Sequence, residues 1–196
     1  MTSGWILHPA DDAALQAVTV ERYTQLYQSH RQEGMENGVD FWAMPPRGWP
    51  VEARSFRHLD PWRIFLLLTP WMLMRVLMPM RDPGLPLPPG WGEPDGPESG
   101  GLLGPLLTVY LLGQKQMAHL HRDPVLGDYL IQPLVQSLHK YANPEAVFSA
   151  WTETVQRRDA FVQASNRRCD WQQDLSRREI FSGLFRERKP SCDTTT

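Results

Sequence analysis

VEARSFRHLDPWRIFLLLTPWMLMRVLMPM, residues 51–80, is the stretch on which the fold turns. Val51 to Leu59 alternates apolar and polar side chains, the period of a half-buried strand. Asp60-Pro61 marks a turn, and Trp62 to Thr69 is apolar at nearly every position, as a strand covered on both faces must be. Two such strands across a short turn make a hairpin. Pro70 lacks an N–H and is tolerated in the first turn of a helix, so Pro70 to Leu77 reads as a short helix ended by Pro79. The apolar run from Ile64 to Met80 falls short of the ~20 residues of a membrane span. It also holds Arg75 well inside, where a charge costs about 2.5–3.5 kcal/mol. A buried strand and a short helix account for the run.

Upstream, Ala10 to Gln32 reads as a helix with Asp11 as its cap, Gly34 past its end, and Val20, Tyr23, Leu26, Tyr27 and His30 along one stripe. Phe41, Trp42, Met44 and Trp49 make the following Pro/Gly-rich connection too apolar for a solvated linker. Downstream, residues 82–104 are dense in Pro and Gly, an expected exposed loop insertion of about twenty residues. Leu106 to Leu112 fits a strand or a helical turn equally. Gln114 to Arg122 and Gly127 to Gln136 form a second hairpin, in which Pro133 requires an edge or a bulge. Asn143-Pro144-Glu145 opens a second helix, expected to reach about Ala164, with Val147, Phe148, Trp151, Val155 and Val162 on its buried face. From Asn166 onward the chain is charged, and it ends in Pro190-Ser191-Cys192-Asp193-Thr194-Thr195-Thr196, which reads as disordered. Helix, hairpin, short helix, loop, hairpin, long helix has no βαβ rhythm. It predicts an α+β domain: a small antiparallel sheet of two hairpins packed against both helices.

The expected organisation is one domain over residues 1–186 and a disordered tail over 187–196. A net charge of −2 supplies no basic field, so neither nucleic acid nor an anionic membrane is an expected partner. The first thirty residues have acids and no basic n-region or apolar h-region, which predicts a cytoplasmic protein. Cys169 and Cys192 form no Cys-x-x-Cys pair, so neither a cysteine zinc site nor a disulfide framework is expected.

Chemistry is sparse. No glycine-serine elbow, P-loop, dinucleotide loop or His-Glu-x-x-His motif occurs. His119 and His121, two apart on a strand, share a face with Asp123, which makes them weak metal candidates beside the plainer reading of a solvated hairpin face. Cys169 follows Arg167-Arg168, but reads as a spectator thiol. No catalytic residue and no cofactor are expected. The distinctive feature is Trp71-Met72-Leu73-Met74-Arg75-Val76-Leu77-Met78-Pro79-Met80, because methionine suits surfaces that accept imperfectly fitting apolar clients. A groove between this segment and residues 82–104 is the expected contact surface. Trp71 and Met72 would be its anchors, Met74 and Met78 part of its lining, and Arg75, Arg177 and Arg178 would orient the partner.

Leu68-Thr69-Pro70-Trp71-Met72-Leu73, Gly127-Asp128-Tyr129-Leu130, and Ser176-Arg177-Arg178 with Phe181 and Gly183 stand in an order that resembles the HybE/HupJ family of [NiFe]-hydrogenase maturation chaperones. Glu52-Ala53, Phe56 and Trp62 are similar to that family's first hairpin, so the likeness runs from about Tyr23 to Arg186. The resemblance implies an α+β chaperone of the stand-alone type, without a rubredoxin module. Its implied task is to help mature a membrane-bound uptake hydrogenase by binding a structural subunit or its precursor before export. The alternative expectation is a metal- or thiol-dependent redox factor acting through His119 and His121.

Overall fold

The computed structural model describes residues 4–8, 11–36, 49–92 and 104–173. Residues 1–147 form one compact unit and residues 148–196 another. The first holds helix α1 (Asp12–Glu36) and strands β1 (Glu52–Leu59), β2 (Trp62–Leu68), β3 (Leu73–Pro79), β4 (Leu106–Leu111), β5 (Gln114–Asp123) and β6 (Gly127–Val135). Helix α2 (Pro144–Gln173) begins in the first unit and continues through the described part of the second.

All six strands join one antiparallel sheet in the order β1-β2-β3-β6-β5-β4. Each expected hairpin therefore grows by one strand into a three-stranded meander, and the meanders meet where β3 pairs with β6. The α+β class stands; the short helix over Pro70 to Leu77 does not. Pro70 lies in the turn between β2 and β3. Buried Thr69 closes that turn: its Oγ1 accepts from the N–H of Trp71 (3.3 Å) and Met72 (3.2 Å), and its own N–H reaches the Met72 carbonyl (3.0 Å). A side-chain oxygen bonding the backbone two and three residues on is the ST-turn that competes with a helix start. The following segment is extended and buried on both faces, so its apolar residues run on without a period.

The two faces have different covers. On the first, Phe65, Leu67, Met74, Val76, Met78, Tyr129 and Ile131 pack with Leu15 and Tyr23 of α1. The helix axis of contact is Leu15, Thr19 and Tyr23, four residues apart and all buried. On the second, Trp62, Leu77, Val109, Leu111, Ala118, Leu120 and Leu130 pack with Trp91, Leu85, Leu87 and Trp5. Part of the expected exposed loop thus serves as a lid on the sheet: Trp91 is buried, and Trp5 donates its indole N–H to the Leu85 carbonyl at 2.9 Å.

Local signals are borne out at both helix starts. Asp11 accepts from the Ala14 N–H (2.8 Å) and Asn143 from the Ala146 N–H (2.9 Å), each bond satisfying a donor that a helix start leaves unpaired. The lengths differ from expectation: α1 passes Gly34 to Glu36, and α2 runs beyond Ala164 and through Asn166 to Gln173. Only Val147 and Phe148 of the expected α2 stripe are buried; Trp151 and Val155 are half-buried and Val162 is exposed. Pro133 sits in a central strand, where Met74 faces Pro133 and Leu73 faces Val135, so the required irregularity is a bulge and not an edge. Phe41, Trp42, Met44 and residues 93–103 lie outside the described residues, as does residue 174 onward.

Candidate functional site: an uncovered apolar face on strands β4 and β5

The residues expected to form a client groove separate in the structure. Met74 and Met78 point into the core beneath α1, with 4% and 1% of their surface exposed, so neither can line a docking surface. The reason is the strand: residues 74, 76 and 78 share its inner face. Trp71 and Met72 sit half-buried in the β2–β3 turn, and the Trp71 ring meets Tyr27 of α1 edge-on at 5.1 Å. Arg75 is half-buried and bonds Gln116 Oε1 (3.0 Å) and Gln132 Oε1 (3.1 Å), bridging β3, β6 and β5. Arg177, Arg178 and Cys192 lie outside the described residues; Cys169 lies in α2.

The histidines share a face, as their spacing requires, but their nitrogens serve the backbone. His119 Nδ1 meets the Gly104 carbonyl at 2.8 Å, and the Gly104 N–H points to His121 Nε2 at 3.4 Å. That geometry holds His121 as a neutral acceptor, and burial, reinforced by His119, lowers its pKa to about 4. Its ring stacks on Tyr129 (5.8 Å), whose hydroxyl meets that of Tyr23 in α1 at 3.0 Å. Burial drives the Tyr23 pKa up to about 12 and pushes Tyr129 well upward, so both phenols stay protonated. Asp123 is also committed: it caps the β5–β6 turn through the N–H groups of Val125 (2.8 Å) and Leu126 (3.1 Å) and pairs with Arg22 at 2.7 Å. Among the described residues no group of three or more His, Cys, Asp and Glu side chains could hold a metal.

What the structure leaves open lies beside this network. Among the described residues, the first face of the sheet is covered by α1 over β1, β2, β3 and β6, and its core cluster takes no residue from β4 or β5. There Leu106, Tyr110 and Met117 are exposed by 51%, 69% and 46%, with Leu112 beyond them at 83%. The register places Leu106 beside His119, Thr108 beside Met117 and Tyr110 beside Lys115, all on that face. Sequence reading missed this face because it left β4 undecided between strand and helical turn; the alternation of Leu106, Thr108 and Tyr110 was the available signal.

A family model described as "[NiFe]-hydrogenase assembly, chaperone, HybE" matches residues 19–183, most of the chain. The chain belongs to the HybE family of [NiFe]-hydrogenase assembly chaperones. No curated protein and no solved structure matches it. No helix among the described residues is long and apolar enough to cross a membrane.

Proposed function

We propose that this HybE chain binds a structural subunit of a membrane-bound uptake [NiFe] hydrogenase, in its precursor form and before export, and releases it once assembly is complete. It acts by covering apolar surface and performs no catalysis. The observation that carries this reading is the row of exposed Leu106, Tyr110 and Met117 on the sheet face that α1 packs against elsewhere. Scattered exposed apolar residues are ordinary; three on one face of two paired strands make a contact surface. Trp71 and Met72, half-buried in the β2–β3 turn, are a second candidate contact, with Arg75 and the Arg177/Arg178 pair as orienting charges.

The test is affinity capture from hydrogenase-expressing cells, comparing precursor and mature subunits by mass spectrometry. Capture of one precursor, with the mature subunit left behind, is the expected result. Equal capture of both, or of neither, would defeat the reading.

A further inference from the structure

The two edges of the sheet are built differently. Edge strand β1 is bulged between Arg54 and Arg57, where Ser55 takes a φ of 62°. It carries Glu52, Arg54, Arg57 and His58, and Arg54 pairs with Glu52 (2.5 Å) and Glu145 (2.6 Å). Bulges and charges are how an edge is kept from pairing with foreign strands. Edge strand β4, Leu-Leu-Thr-Val-Tyr-Leu, has neither: it holds no charge and no proline, and its register with β5 is unbroken.

Its backbone polarity follows from one bond. The Leu120 N–H donates to the Pro105 carbonyl at 2.7 Å, so residue 105 faces β5. Alternation along an antiparallel pair then turns Leu107, Val109 and Leu111 toward β5, and aims the N–H and C=O groups of Leu106, Thr108 and Tyr110 outward. The residues whose backbone faces outward are those whose side chains lie on the uncovered face.

We propose that β4 accepts an extended segment of the client polypeptide as a seventh strand of the sheet, through the outward backbone groups of Leu106, Thr108 and Tyr110. This rests on the client-binding reading above and gives it a mode. The segment's chemistry is set by its neighbours. Opposite Leu106 and Thr108 a charge would lose its water beside apolar side chains, so the segment is uncharged there, with an apolar residue over Leu106 and Met117. Lys115 is exposed next to Tyr110 on the same face, so a carboxylate opposite Tyr110 is matched by a cation one strand away.

The test uses the full chain and each hydrogenase structural subunit in precursor form. Thr108→Pro removes one outward donor and leaves the bonds to β5 in place, since the Thr108 N–H faces away from them. Tyr110→Lys places on β4 the kind of charge that protects β1, at a well-exposed position. Each should weaken precursor binding about tenfold or more, while Arg57→Ala on the opposite edge binds as the wild type does. In the complex, hydrogen exchange at the amides of residues 106, 108 and 110 should slow. If precursor binds wild type and both β4 variants equally, the edge is not the site, and the client reading survives alone. Slowed exchange at those amides without precursor, rising with protein concentration, would make the occupant a second copy of this chain and overturn the proposal. Should no precursor bind wild type, the client reading falls and the edge proposal with it.

Discussion

Asp128 has no exposed surface, and its side chain ties three other segments to β6, those of Ile6, Trp91 and Arg122. Oδ1 accepts from the Trp91 indole (2.9 Å) and Arg122 Nε (2.7 Å), and Oδ2 from the Ile6 N–H (2.6 Å) and Arg122 (3.0 Å). Arg122 lies over the Trp91 ring at 5.6 Å. Glycines complete the join: a Cβ on Gly127, at φ +73°, would come within 2.4 Å of the Ile6 carbonyl oxygen. Asp128→Asn cannot accept at both oxygens and removes the buried carboxylate that pairs with Arg122. It should cost about 3–5 kcal/mol in urea unfolding, the range for breaking a buried ion pair, whereas a loss under about 1 kcal/mol would show the latch to be incidental. His121 gives a pH signature. Its folded pKa, near 4, lies below the ~6.5 of the unfolded chain, so the unfolded state takes a proton the folded state refuses. The titratable groups that meet it are His119, which reinforces the shift, and Tyr129, on which its ring stacks. Stability is unaffected above pH 6.5 and falls as pH drops toward 4, by up to about 3 kcal/mol from this group alone. His121→Phe keeps the stacking on Tyr129 and should flatten unfolding free energy between pH 6.5 and 4 relative to wild type. Parallel curves for the two proteins would assign the acid loss to other groups.

Elements were legible wherever a local rule fixes them. Asp11 and Asn143 announced both helices because a cap needs only the next three residues. The Asp60-Pro61 turn and the Asp123–Gly127 connection announced both hairpins. Strand β3 was illegible for a physical reason: burial on both faces erases the alternation that marks a strand, and Pro70 suits a helix start and a turn alike. The site was legible only in part. Period two placed His119 and His121 on one face, but their partner, Gly104, lies across a pairing that no local pattern specifies. The methionine-rich signal marked core at residues 74 and 78, while Met117, outside that cluster, is exposed. Two substitutions separate these roles. Met78→Glu puts a carboxylate into a site 1% exposed and should leave no cooperative unfolding transition. Met117→Glu, at 46% exposure, should shift the melting temperature by no more than a few degrees and yet weaken precursor binding. Retained cooperative folding by the first variant would remove Met78 from the core.

At the scale of the whole molecule, the sheet is two three-stranded meanders meeting antiparallel at β3 and β6, with β1 and β4 at equivalent outer positions. Their treatment is opposite. α1 lies over the β1 half of one face, and charge and a bulge guard that edge, while on the β4 half of the same face Leu106, Tyr110 and Met117 are exposed. A single chain thus carries one half whose face is packed under a helix and another whose apolar side chains are exposed. The net charge of −2 is too small to steer a partner over long range, and the open face holds one lysine among uncharged neighbours. Association through it should therefore be driven by apolar burial, whose sign is a negative heat-capacity change, and not by ion pairing. Calorimetric titration of precursor into the full chain should give a binding constant that changes no more than about threefold between 0.05 and 0.5 M salt, since exposed pairs are screened and contribute little. A loss of about a hundredfold over that range would instead move the dominant contact to a charged region, with the Arg177/Arg178 pair the first to substitute.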